Sequence, residues 1–103
     1  MKINDVEFDF NATKLENLKK IDECMPNLQK ALDEGAKLFK QNKMYEGAKR
    51  QIDAVKQFFI DLVGVDIVKD CDDIALAVAF VQDFNIQVDK QREKVTQEYF
   101  KRK

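Results

Sequence analysis

Residues 13–41 read TKLENLKKIDECMPNLQKALDEGAKLFKQ, and the spacing of their apolar side chains decides the fold. Leu18, Ile21, Met25, Leu28, Leu32 and Phe39 recur three or four apart, with Gly35-Ala36 filling the remaining step. This spacing lays one apolar stripe along a helix, and the stripe must be covered by something else. Thr13-Lys14-Leu15-Glu16 has the capping-box pattern that starts a helix. Pro26 lacks an N–H and crowds the preceding turn, so a helix over 13–41, kinked near Met25, is expected.

Downstream, the polar Gln41-Asn42-Lys43 breaks the phase. A second stripe follows: Tyr45, Ala48, Ile52, Val55, Phe59 and Leu62, widened by Phe58 and Val63. It predicts a helix over 43–63, antiparallel to the first because the break is short. Gly64 suits the residue that closes the helix in a left-handed conformation. Residues 65–70 read as a connector with room for one short helical turn. Asp70, Asp72 and Asp73 then crowd a helix start, where carboxylates cap free N–H groups. The third helix carries Ile74, Ala77, Val81, Phe84, Val88, Val95 and Tyr99. Its early part is apolar almost all round, which predicts burial on several sides. From Lys90 on it is polar except at Val95, Tyr99 and Phe100, so this end is expected to leave the body.

Upstream, Val6, Phe8 and Phe10 alternate with Glu7 and Asp9, the period of a half-buried strand. Met1 and Ile3 join the same face if Asn4-Asp5 forms a two-residue turn, which sets Ile3 across from Val6 and Met1 across from Phe8. Asn tolerates positive φ and suits that turn. A lone ribbon is marginal in water, so its apolar face must pack on helices or its edge must pair with another chain. The expected fold is therefore mainly α (α+β): a β-hairpin over 1–10, then a helical body over 13–103 built as a bundle of three main helices. All 103 residues form one domain.

Composition excludes several function classes. Apolar residues make up 45% and charged residues 36%, a globular mixture. A net charge of −1 gives no general electrostatic case for nucleic acid. There is no histidine, no phosphate-binding glycine loop, no nucleophile elbow and no paired CxxC, so no enzyme, cofactor or metal centre is expected. Cys24 and Cys71 read as reduced thiols in or near the core. The acids Asp66, Asp70, Asp72 and Asp73 lack the glycine and distal glutamate of a calcium loop and read as caps. The longest apolar run, residues 74–81, is too short to span a bilayer, and no leader is visible; no membrane contact and a cytoplasmic location are expected. What remains is adhesive surface. The partner-binding candidates are Ile3, Val6, Phe8 and Phe10 on the ribbon, and Arg92, Tyr99 and Phe100 at the basic end of the third helix.

Several stretches resemble one family. Met-Lys-Ile-Asn-Asp-Val-Glu-Phe-Asp-Phe, residues 1–10, is similar to the opening MKINGVEFDF of many small phage tail proteins. Tyr45-Glu46-Gly47-Ala48 through Gln57-Phe58-Phe59-Ile60-Asp61-Leu62-Val63-Gly64 resembles the family's helix that ends in FFDDVFG. Cys71 to Phe84, with Gln91-Arg92-Glu93-Lys94 to Tyr99, resembles its last helix. The family belongs to phages and prophages of Gram-positive bacteria and looks like the tail assembly chaperones. Here the turn has Asn4-Asp5 where Asn-Gly is usual, and the connector after Gly64 is shorter. The resemblance implies a non-catalytic protein of the host cytoplasm that binds the tape-measure protein or another tail protein and self-associates.

Two other readings stand beside it. A structural component of the tail or the head–tail connector would be found in purified virions, where a chaperone would be absent. A small nucleic-acid-binding regulator would use the basic end, with Tyr99 and Phe100 for stacking, and its binding would fall steeply with salt.

Overall fold

A computed structural model describes residues 1–101, with side chains described through Tyr99. Two short strands, β1 (Lys2–Ile3) and β2 (Val6–Glu7), precede three helices: α1 (Leu15–Lys40), α2 (Met44–Val63) and α3 (Ile74–Lys101). The architecture is mainly helical with an N-terminal hairpin, as the periodicities require.

The hairpin has the expected register. Lys2 pairs with Glu7 and Ile3 with Val6 in antiparallel fashion. Asn4 and Asp5 have φ of 51° and 61°, the two positive angles of a type I′ turn. Met1 and Phe8 exchange both main-chain hydrogen bonds, each 3.0 Å. That pairing turns the N–H and C=O groups of Lys2 and Glu7 outward.

α1 continues through Pro26 without interruption. It begins one residue later than the capping box implied. Asn11 supplies the reason: its Oδ1 accepts both the Thr13 N–H and the Thr13 hydroxyl, at 2.9 and 2.6 Å. Thr13 is thereby held in a turn before the helix, and Lys14 occupies the cap position with no side-chain cap bond. At the other end Asn42, φ 63°, closes the helix. Its N–H donates to the Phe39 carbonyl and the Lys43 N–H donates to the Leu38 carbonyl, at 3.0 and 2.9 Å. These are the two bonds of a Schellman motif. Gly64, φ 76°, ends α2, with its N–H donating to the Ile60 carbonyl at 3.0 Å.

α1 and α2 lie against each other closely because glycine faces glycine. A Cβ on Gly35 would stand 2.9 Å from the Gly47 carbonyl oxygen, and one on Gly47 would stand 2.8 Å from the Gly35 carbonyl oxygen. Gln51 strengthens the crossing by donating to the Leu32 carbonyl at 3.0 Å. Below it, Leu28 and Ala31 of α1 and Ala54, Val55, Phe58, Phe59 and Leu62 of α2 are buried.

α3 packs on α2 and on β1. Phe84, fully buried, has ring-centroid separations of 5.4 Å to Phe10, 5.9 Å to Phe58 and 5.9 Å to Phe59. This cluster joins the N-terminal segment, α2 and α3. The start of α3 is not buried on several sides: Ala77 is buried, Ile74 and Val78 are half-buried, and Leu76 is 51% exposed. α3 meets the body along one side, so its small, apolar opening turns face water on the other. As expected, its far end leaves the body. The last buried side chain on α3, among those described, is Val88. The molecule is 57 Å long, with a radius of gyration of 15.6 Å against about 13 Å for a compact chain of this size.

The connector between α2 and α3 holds no helical turn and is more than a link. Ile67 and Val68 are among the most deeply buried side chains. Asp66 fixes the bend by accepting the Lys69 N–H at 3.0 Å, and Lys69 takes φ 54°. Asp73 caps α3, accepting the Ala75 N–H at 2.9 Å.

Candidate protein-binding surface

The N-terminal segment lies in a groove bounded by α3 and the connector. From Phe8 to Ala12 its side chains alternate strictly: Phe8, Phe10 and Ala12 are buried, while Asp9 and Asn11 are exposed. This is the pattern of an extended chain with one face in an apolar channel. Ile3 is buried as well, and Val6 is partly buried against the same core.

Side-chain amides hold the main chain of this segment. The Gln91 carboxamide closes on it twice: Oε1 accepts the Ala12 N–H at 2.8 Å, and Nε2 donates to the Phe10 carbonyl at 3.0 Å. One turn earlier, Gln87 Nε2 donates to the Lys2 carbonyl at 3.0 Å. From the hairpin side, Asn4 Nδ2 donates to the Ile67 carbonyl at 2.7 Å. Burying a main-chain group without a partner costs about 1–3 kcal/mol, so these amides decide where the segment rests.

The sequence-predicted partner residues therefore divide into two groups. Ile3, Phe8 and Phe10 are internal and Val6 is partly buried: they serve the chain's own core, and the ribbon's outward groups are the backbone of Glu7 and the side chains of Lys2, Glu7 and Asp9. A shallow open concavity of about 540 Å³ lies there, lined by Met1, Lys2, Glu7, Phe8 and Asp9. Arg92 and Tyr99 lie on the exposed half of α3. The Phe100 side chain falls outside the described residues, as do those of Lys101, Arg102 and Lys103. The structure does not gather the ribbon residues and the α3 residues into one site.

The exposed half of α3 keeps its apolar phase. Phe84, Val88, Gln91 and Val95 follow one another at spacings of four, three and four, and Tyr99 comes four later. Up to Val88 this stripe faces the core; beyond it, Val95 is 50% and Tyr99 57% exposed. Leu15, at the start of α1, is 85% exposed and lies three residues from Ala12, which Gln91 holds.

Sequence reasoning missed the clamp. Its signal was Gln91 in the core phase of α3, a polar amide where an apolar residue would be expected.

Electrostatics add little chemistry. The backbone N–H of Lys69, with the Lys56 ammonium 3.1 Å away, holds the Asp66 carboxyl below its usual range. Arg50, 2.8 Å from Glu34, lowers the Glu34 carboxyl in the same way. Both cysteines are free and half-buried. Burial, then the charges of Asp61 and Glu23, push the Cys24 thiol up, away from thiolate reactivity. The groove beside Cys24, between α1 and α2, holds about 150 Å³, below the usual range for small-molecule sites, about 300–1,000 Å³. Among the described residues no three acids or cysteines converge as metal ligands, and no helix is long and apolar enough to cross a membrane.

Compared with known proteins, the chain matches no family model, no curated protein and no solved structure.

Proposed function

We propose that the protein is a non-catalytic, tail assembly chaperone-like protein that works in the host bacterial cytoplasm. It binds a tape-measure protein or another tail protein and self-associates while the tail is built. The reading starts from the resemblance of residues 1–10, 45–64 and 71–99 to small phage tail proteins.

One structural observation supports the binding role most directly. α3 carries its apolar stripe beyond Val88, the last buried side chain described on it, and Val95 keeps the core phase while 50% exposed. A stripe of this kind suits the seam between two helices. Arg92 and Lys94 flank it together with Glu93 and Glu98, and such rim charges set orientation and encounter rate more than affinity. Weak contacts of this kind can be released without covalent change.

Co-expression with the tape-measure protein encoded by the same phage or prophage tests the reading. Co-elution on size exclusion, lost in a Val95→Asp/Tyr99→Asp double variant that keeps its helical spectrum, is the expected result. Separate elution of the wild-type chain would overturn it. Detection of the chain in purified virions would instead favour a structural tail component.

A further inference from the structure

We propose that the groove holding residues 1–12 also accepts that segment from a second copy, so that two chains exchange their N-terminal arms reciprocally. The inference deepens the self-association part of the reading above and names its surface.

The groove is built as a peptide-holding site. Gln91 grips a C=O and an N–H two residues apart, which only an extended chain presents on one side. Apolar space takes the alternate side chains Phe8, Phe10 and Ala12. Main-chain bonds for affinity with recesses for every second side chain is a recurring way of holding extended peptides. The segment that fits this groove is already known, because the chain supplies it. A second copy supplies the same segment, with the same side chains in the same order.

The arm's attachment to the rest of the chain is slight. Between Ala12 and Leu15 run Thr13 and Lys14, both exposed. The bonds around this hinge are local: Thr13 to Asn11, Lys14 N–H to the Asn11 carbonyl, and Asn17 Nδ2 to the same carbonyl. The arm's long-range hydrogen bonds, by contrast, go to α3 and the connector, through Gln87, Gln91 and Ile67. Rotation about residues 13–14 therefore moves the arm to a neighbour with those bonds and the Phe10–Phe84 contact intact. What differs between the two states is the hinge geometry and the entropy of association, so concentration selects between them.

The test uses the full chain. Isotopically light and heavy copies are mixed, unfolded and refolded together from low micromolar to near-millimolar concentration, then treated with an amine cross-linker. The Lys2 carbonyl is bonded to Gln87, and Lys90 lies one turn beyond Gln87, so a Lys2–Lys90 link reports which α3 holds which arm. The expected result is a dimer fraction that grows with concentration and in which about half of the Lys2–Lys90 links join a light to a heavy chain, the statistical share for full reciprocal exchange. A chain that stays monomeric throughout would overturn the proposal. So would a dimer in which every such link joins like to like, although self-association by another surface would then stand. Failure of the tape-measure test leaves this readout untouched.

Discussion

Replacing Gly47 by alanine sets two well-measured effects against each other at one point. In the middle of a helix, alanine is better than glycine by about 1 kcal/mol, because glycine gives up more backbone freedom on folding. Taken alone, that makes Gly47→Ala stabilising. Gly47 faces Gly35, however, and the new methyl would stand 2.8 Å from the Gly35 carbonyl oxygen and 3.0 Å from two carbons of the Phe39 ring. Ordinary contact begins near 3.4 Å. The carbonyl belongs to the backbone of α1 and cannot swing aside, so the two helices must part. Overpacking of this sort costs about 1–3 kcal/mol, and a contact with backbone belongs near the upper end. Subtracting the propensity gain leaves a net loss of about 1–2 kcal/mol, equivalent to a fall of roughly 5–10 °C in Tm for a domain of this size. Urea titration followed by circular dichroism measures it directly. The double variant Gly35→Ala/Gly47→Ala should lose less than the sum of its singles, since helices already pushed apart accommodate the second methyl. A Gly47→Ala chain as stable as wild type, or more so, would refute the view that a glycine pair sets the α1–α2 distance.

Three further outcomes follow from the same structure. Gln91→Ala strands the Phe10 carbonyl and the Ala12 N–H and should cost about 1–3 kcal/mol, with faster hydrogen exchange at Ala12 while amides in the α1–α2 crossing stay protected. Lys69→Gly removes a lysine from a left-handed conformation that costs about 1–2 kcal/mol and returns part of that as extra freedom of the unfolded chain, so the urea midpoint should rise by the equivalent of about 0.5–1 kcal/mol. Asp66→Asn keeps an acceptor for the Lys69 N–H and loses the charge. A carboxyl held below its ordinary value of 3.8 contributes stability above that pH, and the contribution fades as pH falls through the folded value. The wild-type advantage over Asp66→Asn should thus be constant near neutrality and close below about pH 4, as acid titrations of the two chains would show.

Much of this fold was legible from local pattern. Asn4-Asp5 between apolar alternations specified the turn and its register because side-chain period and turn length leave one consistent pairing. The stripes of α1 and α2 and the break at Gln41-Asn42-Lys43 gave two antiparallel helices. Most of the misses depended on residues far away, and one on a near neighbour. Thr13 failed to cap because Asn11 captured its hydroxyl first. Ile67 and Val68 looked like loop until tertiary packing placed them in the core. The opening of α3 looked buried all round because small and apolar residues there outnumber the neighbours available to cover them. Gln91 stood out only as a polar amide in the core phase of α3, and neither it nor Gln87 showed what it would hold, since their partners lie some eighty residues upstream. For the candidate surface, Arg92 and Tyr99 were found on an exposed helix as read, whereas Ile3, Phe8 and Phe10 turned inward: an apolar ribbon does not reveal whether its own chain or another will cover it.

The clamp that Gln91 places on Phe10 has a consequence for how the molecule is made. Residue 10 is synthesised 81 residues ahead of the side chain that secures it. While α1 and α2 close on each other through contacts near in sequence, the arm has no seat and its phenylalanines stay in water. Until α3 is made, this early-translated segment lacks its Gln91 anchor and presents Phe8 and Phe10 to whatever else the cell is making beside it.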